Sequence, residues 1–496
     1  MAATRTTRVC VPVCERDLAA LRSACERAVE LADVIELRLD CLEQLPKDLA
    51  GVLLSRPVIL TFRPTEQGGH RDSTRAERQA FWTSLAPQIK SDWWDVEGDL
   101  VHDLSLDWSR IIISHHDFSG VPDDLEQIYE RLAATPAGVV KIAIQANDIV
   151  DCLPVFQLLD RARHEGRELI AIAMGNAGIA TRILGPSRGS FLTYGALDDD
   201  SGTAPGQVNA PKLRSLYHID KIDSETMICG LVGLPVMQSV SPHFHNGAFA
   251  SAGINGVYLP FEVRDAKQFF KRMVDPRSRE LNWNLRGLSI TAPHKQTVME
   301  CLDWIDPTAE KIGAVNTVVV EQDRLRGYNT DAAGFIDPLL VRFGSLRDAR
   351  VAVIGAGGAA RAAVYALREQ NVAVTIFARD TAKAQPLAEG FDVSCESLGH
   401  ASFAGYDFVI NATPLGSGAY IDKTVATREQ LNGVRCVYDL IYNPRETSLL
   451  REAVAAGCET LGGLEMLIAQ AKLQFELWTG RKPDVIEREM GFIYTK

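Results

Sequence analysis

Eight short apolar runs in the first part of the chain constrain its fold more than any other feature. They span residues 8–14, 34–40, 57–64, 93–99, 110–117, 138–146, 168–175 and 191–197. Each is dominated by aliphatic and aromatic residues and is strand-length rather than helix-length. Between most of them lie stretches with helical spacing, such as 17–31 and 124–133. Eight strands mostly alternating with helices predict a (β/α)8 TIM barrel, with an open doubly wound sheet as the alternative. The chain has 496 residues, so further domains must follow.

Polar groups fall at the C-terminal halves of these runs, where strand interiors should be apolar. Glu36 and Arg38 share one face by the period of two. The third run ends at Arg63, the fourth in Asp95-Val-Glu97, and the fifth in His115-His116-Asp117. Lys141 stands within the apolar run Val139–Ile144. In a closed barrel these ends converge on one mouth, where active sites sit. Taken singly, Glu36 with Arg38 reads as a structural ion pair, and a histidine at a strand end as packing. Lys141 resists that reading, because a lysine in an apolar strand is costly unless paired or deprotonated. A desolvated lysine near cationic neighbours becomes an imine-forming nucleophile. With a histidine base and several arginines, the set predicts Schiff-base chemistry on a carboxylated ketone.

The segments Glu36-Leu-Arg38-Leu-Asp40, Thr61-Phe-Arg63, His115-His116-Asp117-Phe118, Val140-Lys141-Ile142-Ala143, Met174-Gly175 and Ala204-Pro205-Gly206-Gln207 resemble type I 3-dehydroquinate dehydratase in order and spacing. The resemblance implies that Lys141 forms the imine, that His116 removes the adjacent proton, and that Glu97 orients His116. It implies that Arg182 clamps the substrate carboxylate while Glu36, Arg38 and Arg63 hold the ring hydroxyls. Thr203 and Gln207 would belong to a lid over the substrate; without the family, that segment reads as a Pro-Gly turn. Thr203 stands where the family usually has serine, which keeps the hydroxyl and alters lid packing.

A polar stretch, 219–226, reads as a linker before a new strand at Met227. Much later, Arg350–Ile354 is an apolar strand followed by Gly355-Ala356-Gly357-Gly358-Ala359-Ala360 and an Ala-rich helix. This fits the dinucleotide fingerprint: Gly355 for the turn, Gly357 for close approach of a pyrophosphate, Ala360 for packing against the sheet. The next strand ends at Ala378 and is followed by Arg379 rather than an acid, with Lys383 nearby. A 2'-phosphate suits those cations, so NADP is expected, although a one-residue shift would bring Asp380 to the ribose. Further strands at 408–411 and 436–440 continue an open sheet.

Polar clusters surround this motif: Gln238-Ser239-Val-Ser241-Pro242-His243, Ser289-Ile-Thr291-Ala-Pro-His294-Lys295, Gly313-Ala-Val-Asn316-Thr317 and Tyr328-Asn329-Thr330-Asp331. Each alone could be a cap or turn. With Gly463-Leu-Glu-Met466-Leu-Ile-Ala-Gln470 they resemble shikimate dehydrogenase. The resemblance implies that Ser239 and Ser241 bind the substrate carboxylate, and that Thr291, Asn316 and Gln470 surround the ring. Lys295 and Asp331 would be the catalytic pair, the lysine donating a proton to the ketone oxygen as hydride arrives from NADPH. Gly355, Ala356, Gly357, Gly358, Ala359, Arg379, Lys383, Thr413, Leu440, Gly463 and Met466 would contact the cofactor. Ser289 replaces a frequent asparagine, Ala378 another, and Lys383 an arginine; the last two bear on strictness for NADP over NAD. The Ser-x-Ser pair favours shikimate over quinate.

The resulting expectation is a TIM barrel fused to a two-domain shikimate dehydrogenase-like α/β unit containing a Rossmann nucleotide-binding domain. The boundaries are 1–218 for the barrel, 219–226 for the linker, 227–330 with 461–496 for the substrate domain, and 331–460 for the NADP-binding domain. The chain would be a bifunctional enzyme that dehydrates 3-dehydroquinate and reduces 3-dehydroshikimate to shikimate. Alternatives are a catabolic quinate/shikimate dehydrogenase preferring NAD, a class I aldolase-type lyase barrel, and a non-catalytic scaffold. A net charge of -12 argues against nucleic acid or anionic membrane as partner, leaving small-molecule substrates. No apolar run approaches the ~20 residues of a membrane helix. Ten cysteines without a Cys-x-x-Cys pair predict neither a disulfide framework nor a metal site. The first seven residues show no signal or transit pattern, so a reducing, cytoplasmic setting is expected.

Overall fold

The computed structural model describes residues 7–45, 55–101, 103–104 and 106–483. Expectations for residues 1–6 and for the 484–496 part of the substrate domain lie outside them. The chain divides into two compact units, Met1–Pro242 with Ile254–Leu285, and His243–Gly253 with Arg286–Lys496.

In the first unit, strands β1 (Val9–Val13), β2 (Val34–Arg38), β3 (Val58–Thr61), β4 (Trp93–Glu97), β5 (Ile111–Asp117), β6 (Val139–Gln145), β7 (Leu169–Met174) and β8 (Thr193–Tyr194) form one parallel sheet. From β1 to β7 each strand neighbours the next, and β8 pairs with β1. A bridge between Leu169 and Ser190 carries the seam beside β7, giving a nearly closed barrel. Only two residues of the expected eighth run are strand. Beyond Tyr194 the chain leaves the sheet, with Ala196 bridging to Asn209 instead.

Local chemistry explains the outer elements. The helix Leu18–Val29 starts where the Asp17 carboxylate accepts from the Ala19 and Ala20 amides, and it buries Leu21, Ala24, Cys25 and Ala28 on one stripe. Inside the barrel, Cys10, Val34, Ile59, Ile112, Val139 and Ile170 form an apolar layer. Nearer the C-terminal ends, the pairing aligns Arg38, Thr61 and Asp95 in one row, and Glu97, Ser114 and Lys141 in another. The same unit holds β9 (Met227–Gly233) and β10 (Gly256–Glu262), paired in parallel.

The second unit contains β11 (Leu285–Ile290), β12 (Trp304–Ile305), β13 (Thr317–Val320) and β14 (Leu325–Tyr328). β13 pairs antiparallel with both β11 and β14, and β12 runs parallel to β14. Its other sheet is wholly parallel, built from β15 (Arg350–Ile354), β16 (Ala373–Ala378), β17 (Ser394–Ser397), β18 (Phe408–Asn411), β19 (Cys436–Asp439) and β20 (Glu459–Leu461). The order β17-β16-β15-β18-β19-β20 reverses between β15 and β18, the point at which open α/β sheets bind ligands. Apolar clusters cover both faces. No helix among the described residues is long and apolar enough to cross a membrane.

The helix Gly463–Thr479 begins against the end of β19: a Cβ on Gly463 would lie 2.2 Å from the Leu440 carbonyl oxygen. Gly463→Ala should therefore destabilise the second unit by about 1–3 kcal/mol. Gly462→Ala, whose nearest new neighbour is the Glu465 carboxylate at 3.6 Å, should be close to neutral in the same calorimetric comparison. Equal melting temperatures for the two variants would contradict the close approach.

Candidate active sites

At the barrel mouth, Glu36, Arg38, Arg63, His116, Lys141, Arg182, Thr203 and Gln207 line one cavity, as the sequence predicted. Lys141 is buried, and its Nζ donates to Asp95 Oδ2 at 2.7 Å and to Tyr194 Oη at 2.9 Å. Glu36 Oε1 lies 3.7 Å from the same nitrogen and accepts from the Thr61 hydroxyl at 2.6 Å. Carboxylates rather than cations thus lie closest to Lys141, which corrects the expectation of cationic neighbours. Arg63 pairs with the other side of the arrangement, Nη2 to Asp95 Oδ2 at 2.7 Å. Arg38 is held by Asp40 through Nε at 2.9 Å and Nη2 at 2.7 Å, a bidentate pair.

The titrating groups separate into distinct states. Burial, reinforced by Arg63 and Lys141, holds the His116 imidazole well below its ordinary range, so it is neutral and can accept a proton. Burial opposes ionisation of Asp95, but Arg63 and Lys141 outweigh it and bring the carboxyl down to about 2. Burial pushes Glu97 up to about 7, against the pull of Arg63 and Arg78. Burial likewise raises the Tyr194 phenol and keeps it protonated. Glu97 does not orient His116 here. Its Oε2 accepts from Arg78 at 3.3 Å, while the Arg63 guanidinium abuts the histidine ring.

Arg182 is 2% exposed, and among the described residues it has no carboxylate partner. Burial lowers it to about 10, and its Nη2 donates only to the Pro205 carbonyl, at 3.2 Å. Thr203, Ala204 and Gln207 line this cavity, and between them Gly206, at φ +70°, packs so tightly that a Cβ would lie 2.2 Å from the Gly175 oxygen. Gln207 Oε1 accepts from the Thr203 amide at 2.8 Å and its hydroxyl at 3.4 Å.

In the second unit, Lys295 Nζ donates to Asp331 Oδ2 at 2.5 Å. Asp331 opens the helix Asp331–Phe343, and its other oxygen accepts from Asn316 Nδ2 at 2.7 Å. Asn316 Oδ1 in turn accepts from the Thr330 amide at 2.8 Å, so the strand end and helix start are cross-braced. Thr291 is half-buried four residues before Lys295, and Gln470 packs on Gly334 of the same helix. Ser289 donates to Gln474 at 2.7 Å and forms a wall. Ser239 and Ser241, in the first unit, have hydroxyls 3.1 Å apart.

The fingerprint has the shape its sequence predicts. Gly355 takes φ +116° against Ala412 and Thr413, and a Cβ on Gly357 would meet nothing within 4 Å. Gly358 starts a helix under the Lys295 stem, whose Cδ would lie 2.9 Å from an added Cβ. Ala356 and Ala359 flank these glycines, Leu440 follows β19, and Met466 is buried in the last helix. Arg379 is exposed just after β16. Asp380 caps the helix Thr381–Phe391, and its carboxylate lies 3.6 Å from Lys383 Nζ.

Sequence reasoning missed Asp95 and Tyr194 as partners of Lys141, and Asp40 as the support of Arg38. Asp95 carried a signal, two residues before Glu97 on the same strand face. Tyr194 carried none, since an aromatic in a strand reads as core. The structure also joins Cys14 to Cys41 as a single disulfide, a bridge the sequence reading, which expected no disulfide framework, did not single out. Their separation of 27 residues hid a pairing that adjacent strands create.

A family model described as type I 3-dehydroquinase matches residues 9–224. Others match the shikimate dehydrogenase substrate binding domain at 231–318, shikimate / quinate 5-dehydrogenase at 340–446, and the shikimate 5'-dehydrogenase C-terminal domain at 463–485. The bifunctional 3-dehydroquinate dehydratase/shikimate dehydrogenase, chloroplastic, of Arabidopsis thaliana is 34% identical over 504 residues, covering 95% of this chain and 82% of that protein. A shikimate dehydrogenase (NADP(+)) of Methanocella arvoryzae is 43% identical over 270 residues, covering 53% of this chain and 97% of its own. A crystal structure of a shikimate dehydrogenase in complex with NADP+ superposes with a TM-score of 0.52 at 37% identity, covering 55% of this chain and 98% of that one.

The raised Glu97 has a signed consequence for stability. Below its ordinary value of 4.5 it is protonated folded or unfolded; between 4.5 and about 7 only the unfolded chain releases the proton, so stability falls as pH rises. Glu97→Gln should remove that fall. Relative to wild type, its melting temperature should gain steadily from pH 4.5 to 7 in calorimetry; a constant difference would show that Glu97 titrates normally.

Proposed function

The chain belongs to the family of bifunctional 3-dehydroquinate dehydratase/shikimate dehydrogenases, and on that premise we propose how its residues divide the two reactions. In the barrel, Lys141 attacks the ketone of 3-dehydroquinate after losing a proton, and the imine acidifies the neighbouring carbon. Neutral His116 takes that carbon's proton, and loss of the β-hydroxyl as water gives 3-dehydroshikimate on hydrolysis of the imine. Arg182 binds the substrate carboxylate. Glu36, Arg38 and Arg63 hold the ring hydroxyls, with Thr203 and Gln207 closing over them. Asp95 and Tyr194 position the Lys141 nitrogen. The observation that carries this reading is a buried lysine sharing one cavity with a neutral histidine and an arginine that lacks a carboxylate partner.

In the second unit, Lys295 donates a proton to the carbonyl oxygen of 3-dehydroshikimate, and Asp331 keeps the ammonium aimed and compensated. Thr291, Asn316 and Gln470 bind the ring, and the Ser239 and Ser241 hydroxyls, which belong to the first unit, are assigned to the substrate carboxylate. The residues fit NADP: open space above Gly357, the tight Gly355 turn, and exposed Arg379 beside Lys383 for a 2'-phosphate. Ala356, Gly358, Ala359, Thr413, Leu440, Gly463 and Met466 complete that cradle. When bound, NADPH supplies the hydride. Capping by Asp380 supports NADP over NAD, because that carboxylate is already engaged. We assign 1–218 to the dehydratase, 219–226 to a linker, 227–330 with 461–496 to substrate binding, and 331–460 to the nucleotide. A cytoplasmic setting and exclusively small-molecule substrates, without nucleic acid or membrane, belong to the same proposal; the net charge of -12 supports the latter.

Supplying 3-dehydroquinate and following NADPH oxidation tests both halves. Lys141→Ala should abolish oxidation from 3-dehydroquinate yet leave it intact from 3-dehydroshikimate, whereas Lys295→Ala should lose both. Borohydride with 3-dehydroquinate should add substrate mass at Lys141. A Lys141→Ala chain that still consumes 3-dehydroquinate would sink the imine mechanism.

A further inference from the structure

Three ligating side chains outside both catalytic sets meet at the barrel mouth. Cys14 follows β1, Cys41 lies in the turn after β2, and His70 is in the loop after β3. Their sulfur and ring nitrogen atoms all lie within 4.8 Å of one another, a cluster found nowhere else among the described residues. None lines the substrate cavity. The two sulfurs are joined as a disulfide, and none of the other eight cysteines is in a disulfide. The exposed imidazole beside the half-buried sulfurs has no role in a disulfide staple.

We propose that Cys14, Cys41 and His70 form a redox-gated site for one zinc-class divalent cation. In the oxidised chain the sulfurs are bonded to each other and cannot ligate. A small dithiol delivers two electrons and two protons, breaking the S–S bond to give two thiols while the dithiol becomes a disulfide. Both thiols then lose protons as the cation binds, and the neutral His70 ring supplies a third ligand, water the fourth. Two thiolates and an imidazole select a soft or borderline ion over magnesium or calcium. Backbone position permits both states. Tetrahedral zinc with Zn–S bonds of about 2.3 Å holds sulfurs roughly 3.8 Å apart. Cα atoms 5.4 Å apart reach that separation by side-chain rotation alone.

The site is tied to the rest of the mouth through Asp40. Cys41 is the next residue, and the His70 amide donates to Asp40 Oδ2 at 3.1 Å. Asp40 is the carboxylate that holds Arg38, so the backbone at Cys41 and at His70 is tied together by bonds that do not involve the sulfurs.

Cobalt(II) added to the full chain tests the site directly, without recourse to activity. After reduction by a dithiol and its removal, the chain should bind one equivalent and show thiolate-to-cobalt charge-transfer absorption. Cys41→Ser should lose that absorption. His70→Ala, a change on an exposed loop that keeps the backbone amide, should weaken binding by more than about tenfold. Reoxidation with a small disulfide should release the ion. Charge-transfer absorption absent from the reduced wild type, equal binding by His70→Ala, or ion retained after reoxidation would each overturn the proposal.

Discussion

Asp95 is fully buried, yet it carries two short charge contacts, to Lys141 and to Arg63, both at 2.7 Å. Much of the barrel's polar interior depends on that carboxylate. Lys141 and Arg63 are both buried and share this one oxygen as counter-charge, and removing one member of such a buried set costs about 3–5 kcal/mol. The carboxylate is lowered to about 2, so it remains charged across the working range. The Lys141 nitrogen is thereby fixed by Asp95 on one side and Tyr194 on another, with Glu36 close behind. In the proposed imine mechanism, a nucleophile set between such partners needs no search for its attack position.

The second unit solves a related problem with less burial. Lys295 and Asp331 are 18% and 8% exposed as side chains, so water reaches the pair. Orientation comes instead from the helix start and hydrogen bonds: Asp331 opens a helix, and the Asn316 amide donates to both Asp331 and Thr330. The lysine's stem rests on Gly358, where the nucleotide-fingerprint helix starts. A single glycine therefore bears on both the fingerprint and the placement of Lys295, the proposed proton donor.

Legibility in the sequence followed from periodicity. Glu36, Arg38, Glu97, His116 and Lys141 stood out because a parallel barrel strand tolerates polar residues only near its C-terminal end, and eight such strands set where those ends meet. The glycine fingerprint was equally visible, since its spacing states a backbone requirement. What escaped depended on partners from other elements. Arg78, on a helix, takes the Glu97 oxygen that had been assigned to His116. Asp380 was ambiguous until its role as a helix cap was apparent. Cys14 and Cys41 are distant in sequence and adjacent only because β1 and β2 run side by side.

Arg182 has a consequence that reaches past substrate chemistry. Among the described residues this buried guanidinium has no carboxylate partner, and a small anion reaching it would compensate its charge. If Arg182 clamps the substrate carboxylate as proposed, chloride, sulfate or phosphate in the medium will compete with that carboxylate for it. The barrel's apparent affinity is therefore a property of the surrounding electrolyte as much as of the protein, and changing a buffer's counter-ion at constant pH changes it.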